Sequence, residues 1–334
     1  MSTLSNVARS LVAPGQGILA ADESTHTIEK RFAAVGLPSS AESRRGFREL
    51  LLATPGISQY LHGVIFYDET FHDATSTGET FVALAEQLGI FPGIKVDLGT
   101  EPLPDSPEEF RTKGLDDLPV RLRAYAAEGA RFTKWRAVFR IGENLPSAAA
   151  IVTNSQQLAE YAMAAQSAGL VPIVEPELLT EGRHSLAQCA VATDAILTGV
   201  FSALSSVGVD FNSMILKPNM ITAGSDNPAS STSEVAEATI RVLSATVPHT
   251  VAGIAFLSGG QSAATACERL SAMNQSTLPW PLSFSFGRAL ENEALKAWAG
   301  QTDKVPDAQA VFLHRAQLVG RAALGQYSPS MEVR

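Results

Sequence analysis

The chain has 334 residues, 45% of them apolar or aromatic and 18% charged, a balance that excludes a disordered polypeptide and leaves ample material for a core. Its net charge of −9, from 25 Lys plus Arg against 34 Asp plus Glu, disfavours non-specific binding to nucleic acid or an anionic membrane, so neither is expected as a partner. An anionic ligand would therefore need a local basic pocket.

Eight short apolar runs alternate with longer helical stretches, the signature of a parallel βα protein. In chain order they are GILAAD ending at Asp22, GVIFYD ending at Asp68, GIKVD ending at Asp97, FTKWRAV from Phe132, VPIVE ending at Glu175, MILKPN ending at Asn219, GIAFLSGG ending at Gly260 and PLSFSFG ending at Gly287. Helices are expected at 43–53, 155–168, 233–246, 261–273 and 307–325, and each crossover is long enough for one. The pattern predicts an α/β fold, a single (β/α)₈ TIM-barrel domain over 1–334 with an N-terminal extension and a short C-terminal tail. A doubly wound open sheet is the competing fold, weakened by the absence of a Gly-x-Gly-x-x-Gly turn after the first strand. The segment 98–117, with three prolines and several carboxylates, reads as a surface excursion.

Cys189 and Cys267 are too few for a disulfide framework, which fits a reducing compartment. The N-terminus lacks a secretory pattern and no uninterrupted apolar run reaches about 20 residues, so a cytoplasmic location is expected. The histidines, at 26, 62, 72, 184, 249 and 314, do not fall at recognised metal-ligand spacings, and no metal or other cofactor is expected. His26 is expected at the surface.

Polar residues recur where a barrel strand should be apolar. Residues two apart in a strand share a face, which groups Asp22 and Ser24 with Ile18 and Ala20, Lys95 with Asp97, Lys134 with Arg136, Glu175 and Glu177 with Ile173, Lys217 and Asn219 with Ile215, and Ser283 with Ser285 and Gly287. A barrel has no edge on which such charges could face water, and buried charges without partners cost several kcal/mol each (roughly). The set should therefore converge at the C-terminal ends of the strands, where barrel active sites lie. A desolvated lysine beside another cation can present a neutral amine to a carbonyl and form a Schiff base, an arrangement that Lys217 and Lys134 could supply. Asp22, Glu175 and Glu177 could move the protons. The turn Ser258-Gly259-Gly260 before a helix, and Phe286-Gly287-Arg288 after the last strand, offer backbone N–H groups and a guanidinium to a phosphate.

These strings together resemble the class I, Schiff-base, metal-independent fructose-1,6-bisphosphate aldolases. The resemblance covers nearly the whole chain and rests on GILAADEST, GIKVD, KWR, VPIVEPE, LKPNM, FLSGGQS and FGRALE. It implies Lys217 as Schiff-base nucleophile, Lys134 as its cationic neighbour, Glu175 as general acid and base with Glu177 in support, and Asp22 as acceptor of the C4 hydroxyl proton. It implies that one phosphate sits on Ser258, Gly259, Gly260, Ser285 and Arg288, and the distal one near Ser24, Thr27, Lys95 and Arg31, with Arg136 organising the charges. A phosphorylated sugar as substrate and a homotetramer follow from the same likeness. Leu98 stands where animal-type members often carry lysine, and Thr27 replaces a serine. The last tyrosine is Tyr327, so the tail tyrosine that serves the enamine carbon in animal-type members has no counterpart assigned here. Another Schiff-base aldolase or transaldolase, or a non-catalytic barrel scaffold, are the alternatives.

Overall fold

The computed structural model describes residues 4–104 and 106–333. Residues 1–3 and 334, the ends of the expected domain, and Asp105 in the 98–117 segment lie outside the described residues. Eight parallel strands close into a barrel: β1 (Gly17–Ala21), β2 (Leu61–Phe66), β3 (Phe91–Lys95), β4 (Phe132–Phe139), β5 (Val171–Leu178), β6 (Ile215–Leu216), β7 (Gly253–Phe256) and β8 (Leu282–Phe286). Each strand pairs with its sequence neighbour, and β1 closes the ring against β8 through Ile18↔Ser285 and Leu19↔Phe286. The open-sheet alternative is thereby set aside.

One face of each strand points into the barrel, and its character changes along the strand. At the N-terminal end Ile18, Ile65, Phe132, Ile173 and Ile215 form an apolar cluster with Val7, Leu11 and Val12 of the N-terminal extension, whose helix Leu4–Leu11 packs there. The opposite face supplies the larger core between sheet and helices, exemplified by Trp135 stacked on Tyr161 with ring centroids 5.5 Å apart. Two residues further along the inward face stand Lys134, Glu175 and Lys217. The same alternation thus buries a hydrophobic floor and raises a charged layer above it.

The helix boundaries differ modestly from expectation. Helices span Ala41–Leu52, Ala148–Ser167, Thr232–Thr246, Ala263–Met273 and Val305–Ala323, so the second begins seven residues before its expected start, at the Ser147 cap, whose side chain accepts from the Ala150 amide. Helix Leu186–Ser206, long and apolar enough by length and composition to span a membrane, packs between Ala148–Ser167 and Thr232–Thr246. The larger correction concerns 98–117. It contains an antiparallel hairpin, Thr100–Leu103 with Ser106–Thr112, and docks on β4 through the Thr112 hydroxyl, which donates to the Arg136 carbonyl at 2.8 Å. Its prolines and charges suit short solvent-facing strands, which carry little of the alternation that marks a core strand.

Candidate active site

Four residues from four strands meet at the C-terminal end of the barrel. Lys134, within β4, places its ammonium 2.7 Å from Asp22 Oδ2, one residue past β1, and 3.2 Å from Glu175 Oε2 in β5. The other Glu175 oxygen stands 3.1 Å from Lys217 Nζ. All four are buried, with 3% to 8% of their surface exposed. Register explains the convergence: Lys134 is paired with Ile173, and Glu175 lies two residues further along β5 on the same face. Lys217 follows β6 directly and continues the ladder by donating its amide to the Val174 carbonyl at 2.8 Å.

Burial alone would disfavour charge on these groups. For Lys134 the carboxylates of Asp22 and Glu175 outweigh desolvation and hold its pKa above the ordinary lysine range. For Asp22 burial pushes upward, but the ammonium groups of Lys134 and then Lys217 outweigh it and lower its pKa to about 2. Lys134 is therefore a fixed ammonium, and Asp22 a fixed carboxylate, throughout the neutral range. Glu177 accepts a close ion pair from Arg136, which leaves Glu175 as the carboxylate touching both lysines.

A cleft of about 700 Å³ opens on this cluster, lined by Asp22, Lys134 and Arg136 together with Ser24, Thr27 and Lys95. Ser24 leaves the strand face on which alternation placed it. It caps helix Thr25–Ala33 and stands 3.1 Å from the Thr27 hydroxyl, so two exposed hydroxyls meet at a helix N-terminus. Lys95 is held by Asp97 Oδ1 at 2.5 Å and by the Asp97 carbonyl at 2.7 Å. Leu98 and Thr100, at the hairpin base, also line the cleft, as do Tyr67, Tyr125 and Arg121. His26 is exposed beside Glu29, as expected.

On the opposite side of β1, Ser258 and Gly259 are partly exposed, Gly260 is exposed, and Arg288 begins helix Arg288–Trp298 exposed and without an ion pair among the described residues. Ser285 is buried and its hydroxyl has no partner among the described residues. Gly287 must lack a side chain, because a Cβ there would stand 2.8 Å from the Ala20 carbonyl oxygen where β8 meets β1.

Arg31, which the resemblance implies near the distal phosphate, does not line the cleft of Ser24, Thr27 and Lys95. Its guanidinium donates to Glu291 Oε2 at 2.6 Å and to Asn292 Oδ1 at 3.1 Å, and forms a close ion pair with Glu23. Arg48 completes this network, 2.6 Å from Glu23 and 3.8 Å from Glu291. Two guanidinium groups and two carboxylates neutralise one another, so Arg31 serves as a cross-brace between two helices. Sequence reasoning also missed Asp97 as the partner of Lys95, although the alternation in GIKVD placed the two on one face. Tyr327 is likewise occupied: its hydroxyl donates to Glu332 at 2.7 Å, and Glu332 accepts two bonds from Arg315.

A closed (β/α)₈ barrel with a lysine–carboxylate cluster at the C-terminal ends of its strands is the layout of a barrel enzyme, and similarity to known proteins assigns it to the carbon–carbon lyases. The family model described as fructose-bisphosphate aldolase class-I matches residues 3–334. A cytosolic fructose-bisphosphate aldolase 5 of Arabidopsis thaliana is 47% identical over 327 residues, covering 97% of this chain and 91% of that protein. A probable class 1 fructose-bisphosphate aldolase of Xanthomonas axonopodis pv. citri is 48% identical, covering 97% and 98%. A solved Plasmodium falciparum fructose-bisphosphate aldolase, in complex with TRAP and an inhibitor, superposes with a TM-score of 0.96 at 42% identity, covering 97% of this chain and 95% of that one. The chain belongs to the class I fructose-bisphosphate aldolase family, lyases that reversibly cleave fructose 1,6-bisphosphate, a phosphorylated sugar, into dihydroxyacetone phosphate and glyceraldehyde 3-phosphate.

Proposed function

We propose that Lys217 carries the Schiff base, and that the observation supporting this most directly is Glu175 standing between the two lysines. Lys217 passes its ammonium proton to Glu175 and, as the free amine, attacks the C2 ketone of the open-chain bisphosphate. Glu175, within hydrogen-bond reach of Lys217, gives a proton to the departing carbinolamine oxygen as water leaves and the iminium forms. Asp22, always ionised here, takes the C4 hydroxyl proton. The C3–C4 bond then breaks, its electrons flow into the iminium, and glyceraldehyde 3-phosphate departs. Lys134, held cationic between Asp22 and Glu175, organises both carboxylates and keeps an ammonium beside the reacting oxygens. Glu177 and Arg136 flank the site as a pair. The electron sink is the iminium, and the reading assigns no metal or cofactor.

Ser258, Gly259, Gly260, Ser285 and Arg288 hold the phosphate nearer the ketone, and Ser24, Thr27 and Lys95 the distal one. Support comes from the placement of the two groups on either side of β1, with the buried, unpartnered Ser285 hydroxyl and the unpaired Arg288 among the first. The chain acts as one catalytic domain in the cytoplasm, as its cytosolic relatives do. A homotetramer would cover Val152 and Val191, exposed on adjoining helices beside an apolar cleft, and sedimentation velocity tests it.

Incubation with dihydroxyacetone phosphate and borohydride tests the nucleophile. One reduced adduct per chain is expected on Lys217 by peptide mass spectrometry, lost in Lys217→Met and retained at lower yield in Lys134→Met. An adduct on Lys134 would overturn the assignment, and active cleavage without any adduct would overturn the imine route.

A further inference from the structure

Beside the Ser258-Gly259-Gly260 turn lies a second cavity, of about 290 Å³, that none of Asp22, Lys134, Glu175, Lys217 or Arg288 lines. Its walls are built from three strand-end segments. After β5 and β6 the chain forms two loops latched by backbone hydrogen bonds: the amides of Ser225, Gly224 and Asp226 donate to the carbonyls of Thr180, His184 and Gly182 at 2.7, 2.8 and 3.0 Å. Asn227 adds its side-chain amide, which donates to the Arg183 carbonyl at 2.6 Å. After β7 the glycine turn approaches so closely that a Cβ on Gly260, which has a φ of +73°, would stand 2.5 Å from the Thr180 hydroxyl. The N-terminus of helix Ala263–Met273, capped by Ser262, completes the enclosure.

Arg269, two turns into that helix, lines the cavity with 6% of its surface exposed. Its Nη1 donates to Gln261 Oε1 at 2.9 Å and its Nη2 to the Ser230 carbonyl at 3.0 Å, while Nε has no partner among the described residues. Every acceptor it uses is neutral. Among the described residues no carboxylate comes within 4 Å of this guanidinium, in contrast to Arg31, Arg48, Arg136 and Arg315, each of which has one. Glu268, its chain neighbour, acts on Arg269 only through space and instead accepts from the Thr232 hydroxyl at 3.2 Å. A buried cation whose hydrogen bonds go only to neutral groups is stabilised by an incoming anion.

We propose that this cavity is a second anion site, separate from the substrate cleft, that takes a phosphate group, either inorganic phosphate or a small phosphomonoester. The guanidinium supplies charge. The hydroxyls of Thr180 and Thr265 supply donors suited to a tetrahedral oxyanion, the Ser225 hydroxyl being engaged by the Asp226 carboxylate at 3.2 Å, and the helix N-terminus adds a favourable dipole. The volume suffices for a phosphate with a small substituent, near the lower limit of ligand cavities at about 300 Å³. Because Gly259 and Gly260 line it, an anion bound here rests against the same turn that forms part of the proposed substrate-phosphate cradle.

Equilibrium dialysis of ³²P-orthophosphate against the full chain carrying Arg288→Ala and Lys95→Ala, which weakens both substrate-phosphate subsites, isolates the site. One phosphate per chain is expected, with affinity falling at least about tenfold when Arg269→Gln is added and largely kept with Arg269→Lys. Should the Gln variant fail to fold by circular dichroism, Thr180→Val serves, with a several-fold loss expected. Equal affinity with and without these substitutions, or no phosphate bound in the double variant, would overturn the proposal. Displacement by glycerol 3-phosphate below the concentration needed for phosphate identifies a monoester as the preferred source, and the reverse order identifies inorganic phosphate. In the otherwise native chain Arg269→Gln should retain fructose 1,6-bisphosphate cleavage, so failure of this site leaves the catalytic reading standing.

Discussion

Arg31 and Glu291, 260 positions apart in sequence, are joined by a 2.6 Å hydrogen-bonded ion pair that ties the helix after β1 to the helix after β8. Glu291 is fully buried one turn from Arg288, and Glu23 at the other end of the network adjoins Asp22. The brace therefore spans the closing seam of the barrel at the height of the chemistry. Glu291→Gln leaves two buried guanidinium groups sharing Glu23, and should destabilise the fold by about 3 to 5 kcal/mol, measured by urea denaturation. A loss below about 1 kcal/mol would show that the network is solvated in practice.

Asp22 makes stability depend on acid. Its pKa is near 2 in the fold against 3.8 for an ordinary aspartate, so the contribution is complete above the unfolded value and is lost as pH falls from about 4 towards 2. The shift corresponds to about 2 kcal/mol. Denaturation midpoints between pH 5 and pH 2.5 should fall less steeply in Asp22→Asn than in the parent chain. Parallel slopes would contradict the depressed pKa.

Phosphate recognition should separate from imine chemistry. Arg288→Ala removes a guanidinium that touches none of the four clustered residues, and should lower kcat/KM for the bisphosphate roughly 10- to 100-fold, the worth of a hydrogen bond to a charged group. Borohydride trapping at saturating ligand should persist. Lys95→Ala frees Asp97 as well as removing an ammonium, so its milder loss should be confined to substrates with a distal phosphate. Equal losses on fructose 1-phosphate and the bisphosphate would refute the distal role.

With an iminium as electron sink, prolonged dialysis against EDTA should leave the cleavage rate unchanged. Activity that disappears and returns with zinc or cobalt would demand another route for the electrons.

The charged layer was legible in the sequence because a strand's inward face is expected to be apolar, and Lys134, Glu175 and Lys217 break that rule two residues beyond Phe132, Ile173 and Ile215. The hairpin at 100–112 was not legible, since Pro102, Pro107 and the charges around them carry the composition of a loop. Arg31 shows a different limit. The family resemblance implies it near a phosphate, while its ion-pair partner comes from the far end of the chain, and pairing across 260 residues leaves no local periodicity to read.

Strand β6 contributes only Ile215 and Leu216, whereas its neighbour β5 runs for eight residues. Pro218 lacks an amide to donate towards β5, but its carbonyl accepts from the Leu257 amide at 3.1 Å, and on the β5 side Asn219 takes over, accepting from the Leu178 amide at 3.0 Å and donating to the Met220 carbonyl at 3.1 Å. The proposed nucleophile accordingly stands past the end of the shortest strand in the wall, its backbone tied to β5 by its own amide and to the end of β7 by the Pro218 carbonyl, with Glu175 beside its amine. A short strand thus need not mean a loose one: the amine is carried by backbone that both neighbouring strands hold, and loss of the Asn219 side chain would remove one tie to β5 while leaving the other ladder bonds in place.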